Sequence, residues 1–177
     1  MSELLRNACS FLFVPATQPE RLHKALASPA DMVIADWEDA VAPVDKAHAR
    51  KALEAAVQTL STAQRARLLV RINAAGTVWF EEDVQGLARL VTQGIAGAVV
   101  PKSESPEQLA TIALQAGPAC ALVVLVETVA GIDALDALAR APQVQRLAFG
   151  HLDFQGDAGM QCAMDEAELL PTRMAFV

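Results

Sequence analysis

The chain has 177 residues, 53% of them hydrophobic and 20% charged, and carries a formal net charge of -7. That length suits one sizeable core rather than two comfortable domains, and the composition is that of a folded globular chain. The acidic balance argues against a nucleic-acid backbone or an anionic membrane as partner, while leaving room for a local basic patch that holds an anionic small molecule.

The three cysteines, Cys9, Cys120 and Cys162, lie far apart. They form no CxxC pair and no zinc spacing, which predicts free thiols in a reducing, cytoplasmic compartment. Cys9 and Cys120 adjoin apolar runs and are expected in the core. The run ACSFLFVPA is short, ends at Pro15 and lacks a cleavage signal. No later apolar run approaches the ~20 residues that cross a bilayer.

In chain order, the apolar run SFLFVP from Ser10 predicts a first strand, and PERLHKALA from Pro19 a helix whose proline suits a first turn. DMVIAD from Asp31 predicts the second strand, ending in the acidic cluster Asp36, Glu38 and Asp39. The Ala-rich DKAHARKALEAAVQTL from Asp45 then reads as a helix. RLLVRIN from Arg67 predicts a third strand delivering Arg71, with a helix from about Trp79 to Val91. GAVVPK from Gly97 follows with Lys102, then a helix from Pro106 to Gln115. ALVVLVE from Ala121 ends in Glu127 and precedes a helix from Ile132 to Arg140. RLAFGHLD from Arg146 carries Asp153 at its end, and a last helical segment runs from Asp165 to the C-terminus.

Most strand candidates are continuously apolar, as strands buried on both faces are. Strand and helix alternating about six times predicts a parallel sheet with right-handed crossovers. Neither GxGxxG after the first strand nor GxxxxGK[ST] occurs. Instead, charged residues stand at the C-terminal end of nearly every strand, and a closed (β/α)8 TIM barrel gathers those ends around one mouth. A full barrel takes about 250 residues. Residues 1–177 are therefore expected to form a single, incomplete TIM-barrel domain that stops after about six units.

Glu127 and Asp153, from neighbouring strand ends, are candidates to share one hard cation. Magnesium takes one or two carboxylates and completes its shell with water and substrate oxygens. Taken singly, each acid could merely cap the helix after it. Arg71 could hold a carboxylate or an enolate oxygen, or pair with Asp36 or Glu38, and the two roles are compatible. Lys102 reads more simply as a salt-bridging lysine than as a Schiff-base nucleophile. His23 and His48 fall on predicted helices and are expected in solvent. His151 reaches the mouth only if the sixth strand continues that far.

Six stretches in order, FLFVPATQPER, DWEDAVAP, VRINAAGTVWFEEDV, VVPKSESPE, VETVAGI and LAFGHLDFQGDAG, resemble the landmarks of the citrate lyase beta-subunit-like family. That family belongs with the HpcH/HpaI aldolases of the phosphoenolpyruvate/pyruvate barrel superfamily. The resemblance implies a magnesium-dependent carbon–carbon lyase, with manganese as a substitute ion, acting between an acyl-CoA enolate and a keto acid. Residue by residue, it implies Glu127 and Asp153 as metal ligands and Arg71 as the substrate-contacting arginine. Asp36, Glu38 and Asp39 would order metal waters and Arg71, so that Arg71, Glu38 and Asp36 form the expected catalytic set. It further implies a homo-oligomer, trimer or hexamer, in which a C-terminal segment following the sixth strand closes over a neighbouring subunit's site.

Three departures stand out: Ala16-Thr17 in place of a glycine-asparagine pair, Trp37 in place of leucine, and Leu152 in place of glutamate. The expected substrates are citramalyl-CoA, malyl-CoA or citryl thioesters. The alternatives are a pyruvate-dependent hydroxyketoacid aldolase, although no histidine lies near DWEDAV before His48, and a non-catalytic shortened barrel that serves as an assembly or binding subunit.

Overall fold

The computed structural model of the protein describes residues 3–177. Six parallel strands pair in sequence order: β1 (Phe11–Pro15), β2 (Met32–Asp36), β3 (Leu68–Arg71), β4 (Gly97–Val100), β5 (Ala121–Val126) and β6 (Val144–Phe149). Each falls within or beside its expected apolar run. The short helix α1 (Glu3–Asn7) precedes β1. After it come α2 (Pro19–Leu26), α3 (Lys46–Thr59), the single turn α4 (Thr62–Arg65), α5 (Phe80–Thr92) and α6 (Pro106–Ala116). Two short helices, α7 (Val129–Asp133) and α8 (Leu135–Ala139), separate β5 from β6, and α9 (His151–Asp157) and α10 (Leu170–Met174) complete the order.

Local chemistry explains several of these boundaries. Pro19 and Pro106 open α2 and α6, where a missing N–H costs nothing. The Ser105 hydroxyl accepts the Gln108 N–H at the start of α6, and Ser61 with Gln64 forms a reciprocal cap on α4. Each satisfies donors that the helix itself leaves open.

Alternation along the strands divides the buried side chains into two cores. Val33, Ala35, Leu68, Val70, Ala98, Leu122 and Val124 face the helices, against Leu22, Leu53, Val57, Leu87, Leu90 and Ile112. Met32, Ile34, Leu69, Val99 and Val123 face the other way and pack with Leu5 of α1. Removing each of these Val, Leu, Ile and Met side chains from water contributes about 1.5–3 kcal/mol, and the alanines less, so both faces hold the sheet.

The sheet curls. Its edge strands β1 and β6 line one cavity of about 300 Å³ together with Ile34, Val99 and Val123. Arg146 of β6 lies over the Phe11 ring of β1 and donates to the carbonyls of Leu5, Arg6 and Ala8. This is the arc of a TIM barrel with α1 beneath it, as the strand-end charges implied. Among the described residues, no helix is long and apolar enough to cross a membrane.

Several expectations need correction. Cys120 is buried, but Cys9 is exposed, its N–H donating to Asp31. The helix expected over 132–140 is two short helices, broken at Ala134. The C-terminal helical segment is reduced to a turn and α10. Most importantly, β6 ends at Phe149, and Asp153 lies in the first turn of α9 rather than on a strand end. Past Gly150, Leu152 and Phe154 alternate with His151 and Asp153 as they could at a strand end, which hid the boundary.

Trp37 shows how the sequence accommodates its large residue. It is fully buried, and a Cβ on Gly86 of α5 would come within 3.1 Å of its ring. The absent side chain at Gly86 makes the space that the indole fills.

Candidate active site at the C-terminal mouth of the sheet

Register builds the first half of the site. Asp36 and Arg71 are direct partners across β2 and β3, each the last residue of its strand. Arg71 Nε donates to Asp36 Oδ1 at 2.8 Å and Nη2 to Oδ2 at 2.6 Å, a bidentate pair with both charges largely out of water. Asp36 also accepts the N–H groups of Glu38 and Ala40, which fold the following loop back over the strand end. Arg71 Nη1 lies 3.1 Å from Glu38 Oε2 and donates to Asp39 Oδ2 at 3.1 Å. The Phe13 ring stacks below its guanidinium. Burial works against the Arg71 charge, but the Asp36 bonds and the charges of Asp36, Glu38 and Asp39 outweigh it and raise its pKa.

A polar layer that the sequence reading did not identify lies behind this pair. Lys46 Nζ is buried and donates at 2.7 Å to three acceptors: the carbonyls of Trp37 and Glu38 and the Asn73 side chain. Asn73 donates from its backbone and its amide to Asp83 Oδ2, and Arg50 donates to Asp83 Oδ1. A sequence signal existed. Lys46 and Arg50 fall on the same face of α3 as Ala49, Leu53 and Val57, which is the buried one. A charge on an apolar stripe needs a partner.

Glu127 and Lys102 build the second half. Glu127 follows the last residue of β5, and its buried carboxylate accepts the backbone N–H of Lys102 at 2.9 Å. Lys102 takes a left-handed φ of 45°, unusual for a residue with a side chain. Its Nζ lies 2.9 Å from Asp153 Oδ2, 3.5 Å from Glu38 Oε1 and 3.9 Å from Glu127 Oε1. Three carboxylates from separate segments therefore converge on one ammonium. Partial burial opposes its charge, but the Asp153 bond and the surrounding carboxylates prevail and hold its pKa above the ordinary lysine value. A Schiff-base nucleophile needs the opposite shift, and three carboxylates around the ammonium give the geometry of a salt-bridging lysine.

The acids themselves are short of positive charge. Burial raises the Glu38 pKa to about 7, with Arg71 only partly countering it, and Glu38 Oε2 has no hydrogen-bond donor among the described residues. Burial likewise raises Glu127, against the lowering effects of the Lys102 N–H and the Lys102 charge. A Cβ at Gly150 would overlap the Glu127 carboxylate. The missing side chain makes room for that carboxylate.

Hard oxygen donors, partly uncompensated, suit a hard divalent cation. Among the described residues, no group of three or more His, Cys, Asp or Glu is arranged to hold a metal. A pair of carboxylates completed by water and substrate oxygens is the arrangement compatible with magnesium.

The remaining candidates lie elsewhere. His151 opens α9 and faces Glu166 at 3.4 Å, while His23 and His48 are exposed on their helices. A second cavity of about 300 Å³ adjoins the mouth, lined by Glu38, Asp39, Lys46, Asn73, Trp79 and Lys102 among others.

The chain is similar to several known proteins. L-malyl-CoA/beta-methylmalyl-CoA lyase of Cereibacter sphaeroides is 34% identical over 165 residues, covering 88% of this chain and 51% of the relative. A (3S)-malyl-CoA thioesterase from the same organism is 30% identical over 156 residues, covering 88% and 53%. The chain thus spans about half the length of these relatives. Among solved structures, protein CitE from Mycobacterium tuberculosis in complex with magnesium and pyruvate superposes with a TM-score of 0.81 and 32% identity, over 97% of this chain and 69% of that one. Residues 9–177 match the HpcH/HpaI aldolase/citrate lyase family, and the chain belongs to it.

Proposed function

We propose that the protein is a magnesium-dependent lyase that cleaves a 3-hydroxyacyl-CoA thioester of the malyl, citramalyl or citryl type into a 2-oxo acid and a shorter acyl-CoA. The observation that carries this reading is the convergence of Glu127 and Asp153 on the Lys102 ammonium at the sheet mouth, with Glu38 lying between that ammonium and Arg71. The names of the relatives support the substrate class.

In this reading Glu127 and Asp153 hold the ion, Glu127 fixed by the Lys102 N–H and by the space at Gly150. Bound there, magnesium would supply a Lewis acid for the carboxylate and hydroxyl oxygens of the substrate's acid half. Manganese has the same ligand preference and would substitute. The hydroxyl proton goes to Glu38, directly or through a water, as the C–O bond becomes a carbonyl and the C2–C3 bond breaks. The electron pair passes to the thioester as an enolate, whose oxygen Arg71 stabilises before C2 is reprotonated. Asp36 does not touch substrate in this scheme. Both its oxygens are committed to Arg71, which it aims and keeps charged.

The test is a panel assay. The chain is incubated with malyl-, citramalyl- and citryl-CoA and magnesium, alone and mixed with a full-length relative. Appearance of a 2-oxo acid with a shorter acyl-CoA identifies carbon–carbon cleavage, whereas free CoA with an intact hydroxy acid identifies hydrolysis. EDTA should abolish turnover and added magnesium restore it. Turnover in the mixture alone would indicate a site shared between chains. Glu127→Ala and Asp153→Ala should each weaken magnesium binding by more than ~100-fold, because even partners outside the ligand shell cost about 10–100-fold. Undiminished turnover in both variants refutes the assigned ligands. Light scattering checks the expected trimer or hexamer.

A further inference from the structure

Lys102 has two opposed relations to the acids around it. Its backbone N–H fixes Glu127, while its ammonium holds Asp153 and lies close to Glu38 and Glu127. A divalent ion shared by Glu127 and Asp153 would have to take Asp153 Oδ2 from an ammonium 2.9 Å away, against charge repulsion at short range. The lysine can yield. Its side chain is 42% exposed on a flexible four-carbon stem. An anion arriving at the mouth offers the ammonium a new partner.

Resting on the assignment of Glu127 and Asp153 as ligands, we infer that Lys102 is a positioning residue that competes with the divalent ion for Asp153 and yields it when a substrate carboxylate takes up the ammonium. Metal and anionic substrate then bind cooperatively, and by linkage each strengthens the other by the same factor. Uncontrolled metal affinity is traded for affinity that depends on substrate.

Calorimetric titration of magnesium into the full chain tests this, with and without pyruvate as a simple 2-oxo acid probe. Lys102→Met keeps the stem and the backbone N–H but removes the charge. It should tighten magnesium binding about tenfold without pyruvate, a modest effect because the ammonium is partly solvated, and shrink the gain that pyruvate brings. Lys102→Gln is a second neutral variant and should behave alike, while Lys102→Arg should stay near the wild type. Circular dichroism confirms that each variant is folded. A lysine that merely braces Asp153 predicts weaker metal binding on its removal, so unchanged or weaker binding in the neutral variants overturns the inference. If Glu127→Gln retains wild-type magnesium affinity, the ligand assignment fails instead, and the two failures are thereby distinguished.

Discussion

The two halves of the mouth treat charge in opposite ways. On the β2–β3 side, Asp36 and Arg71 are locked bidentately, and Lys46, Asn73, Asp83 and Arg50 form a closed chain of bonds in the interior. On the β4–β6 side, Glu127 is buried and its pKa raised, while Asp153 and Lys102 remain partly in solvent. One half spends its charges on holding backbone, and the other keeps charges that a ligand can complete. Removing a group from the first, Arg71 apart, should cost stability, and removing one from the second, binding.

The strongest way to break that contrast is at Asp83, which is fully buried and receives hydrogen bonds from Arg50 and Asn73. Asp83→Ala would leave the Arg50 cation buried beside Glu82 alone. Loss of one partner of a buried pair costs about 3–5 kcal/mol, a large share of a domain's total stability of about 5–15 kcal/mol. Urea denaturation should show the unfolding free energy, read as the midpoint shift multiplied by m, falling by that amount. A loss below about 1 kcal/mol would mean that the network is dispensable.

Gly150→Ala probes the other half. The added methyl would overlap the Glu127 carboxylate, which must turn away or draw β5 and α9 apart. The expected result is magnesium affinity about 10–100-fold weaker with a smaller change in the denaturation midpoint. Equal losses in both would indicate that the site is as much scaffold as the β2–β3 side.

The same division governs what the sequence revealed. The inner strands were legible because their burial on both faces leaves continuous runs such as Val33-Ile34-Ala35 and Leu122-Val123-Val124, and the less buried edge strands β1 and β6 were legible from runs that are mostly apolar all the same. Helices α2, α3, α5 and α6 were legible from spacing and from Pro19 and Pro106. The α9 boundary was not. Gly150 caps it without a side-chain bond, and the alternation of His151 and Asp153 with Leu152 and Phe154 is equally compatible with a strand end. The break at Ala134 carries no glycine or proline to mark it. Arg71 and Glu127 were visible one at a time at strand ends. The Lys46–Asn73–Asp83–Arg50 chain was not, because it joins residues far apart in sequence through the buried face of α3.

Glu38 sits where the two halves meet, within reach of both Arg71 and Lys102, and gives the smallest and most discriminating test. Burial raises its pKa from the ordinary 4.5 to about 7, so between those values the folded chain holds a proton that the unfolded chain has released. The unfolded state binds fewer protons in that window, and stability must therefore fall as pH rises from about 4.5 to 7 and level off above it. The shift of 2.5 (7 minus 4.5) corresponds to about 3–4 kcal/mol as an upper bound, and relaxation around the carboxylate should reduce the total loss across that window to about 1–2 kcal/mol. Glu38→Gln should flatten that part of the profile when denaturation midpoints are compared from pH 4.5 to 8. Magnesium should flatten it as well in the wild type, because a cation at Glu127 and Asp153 favours the charged form of a nearby carboxylate. A slope that persists in Glu38→Gln would assign the titration to another group, and a slope indifferent to magnesium would place Glu38 with the scaffold rather than with the ligand-receiving half.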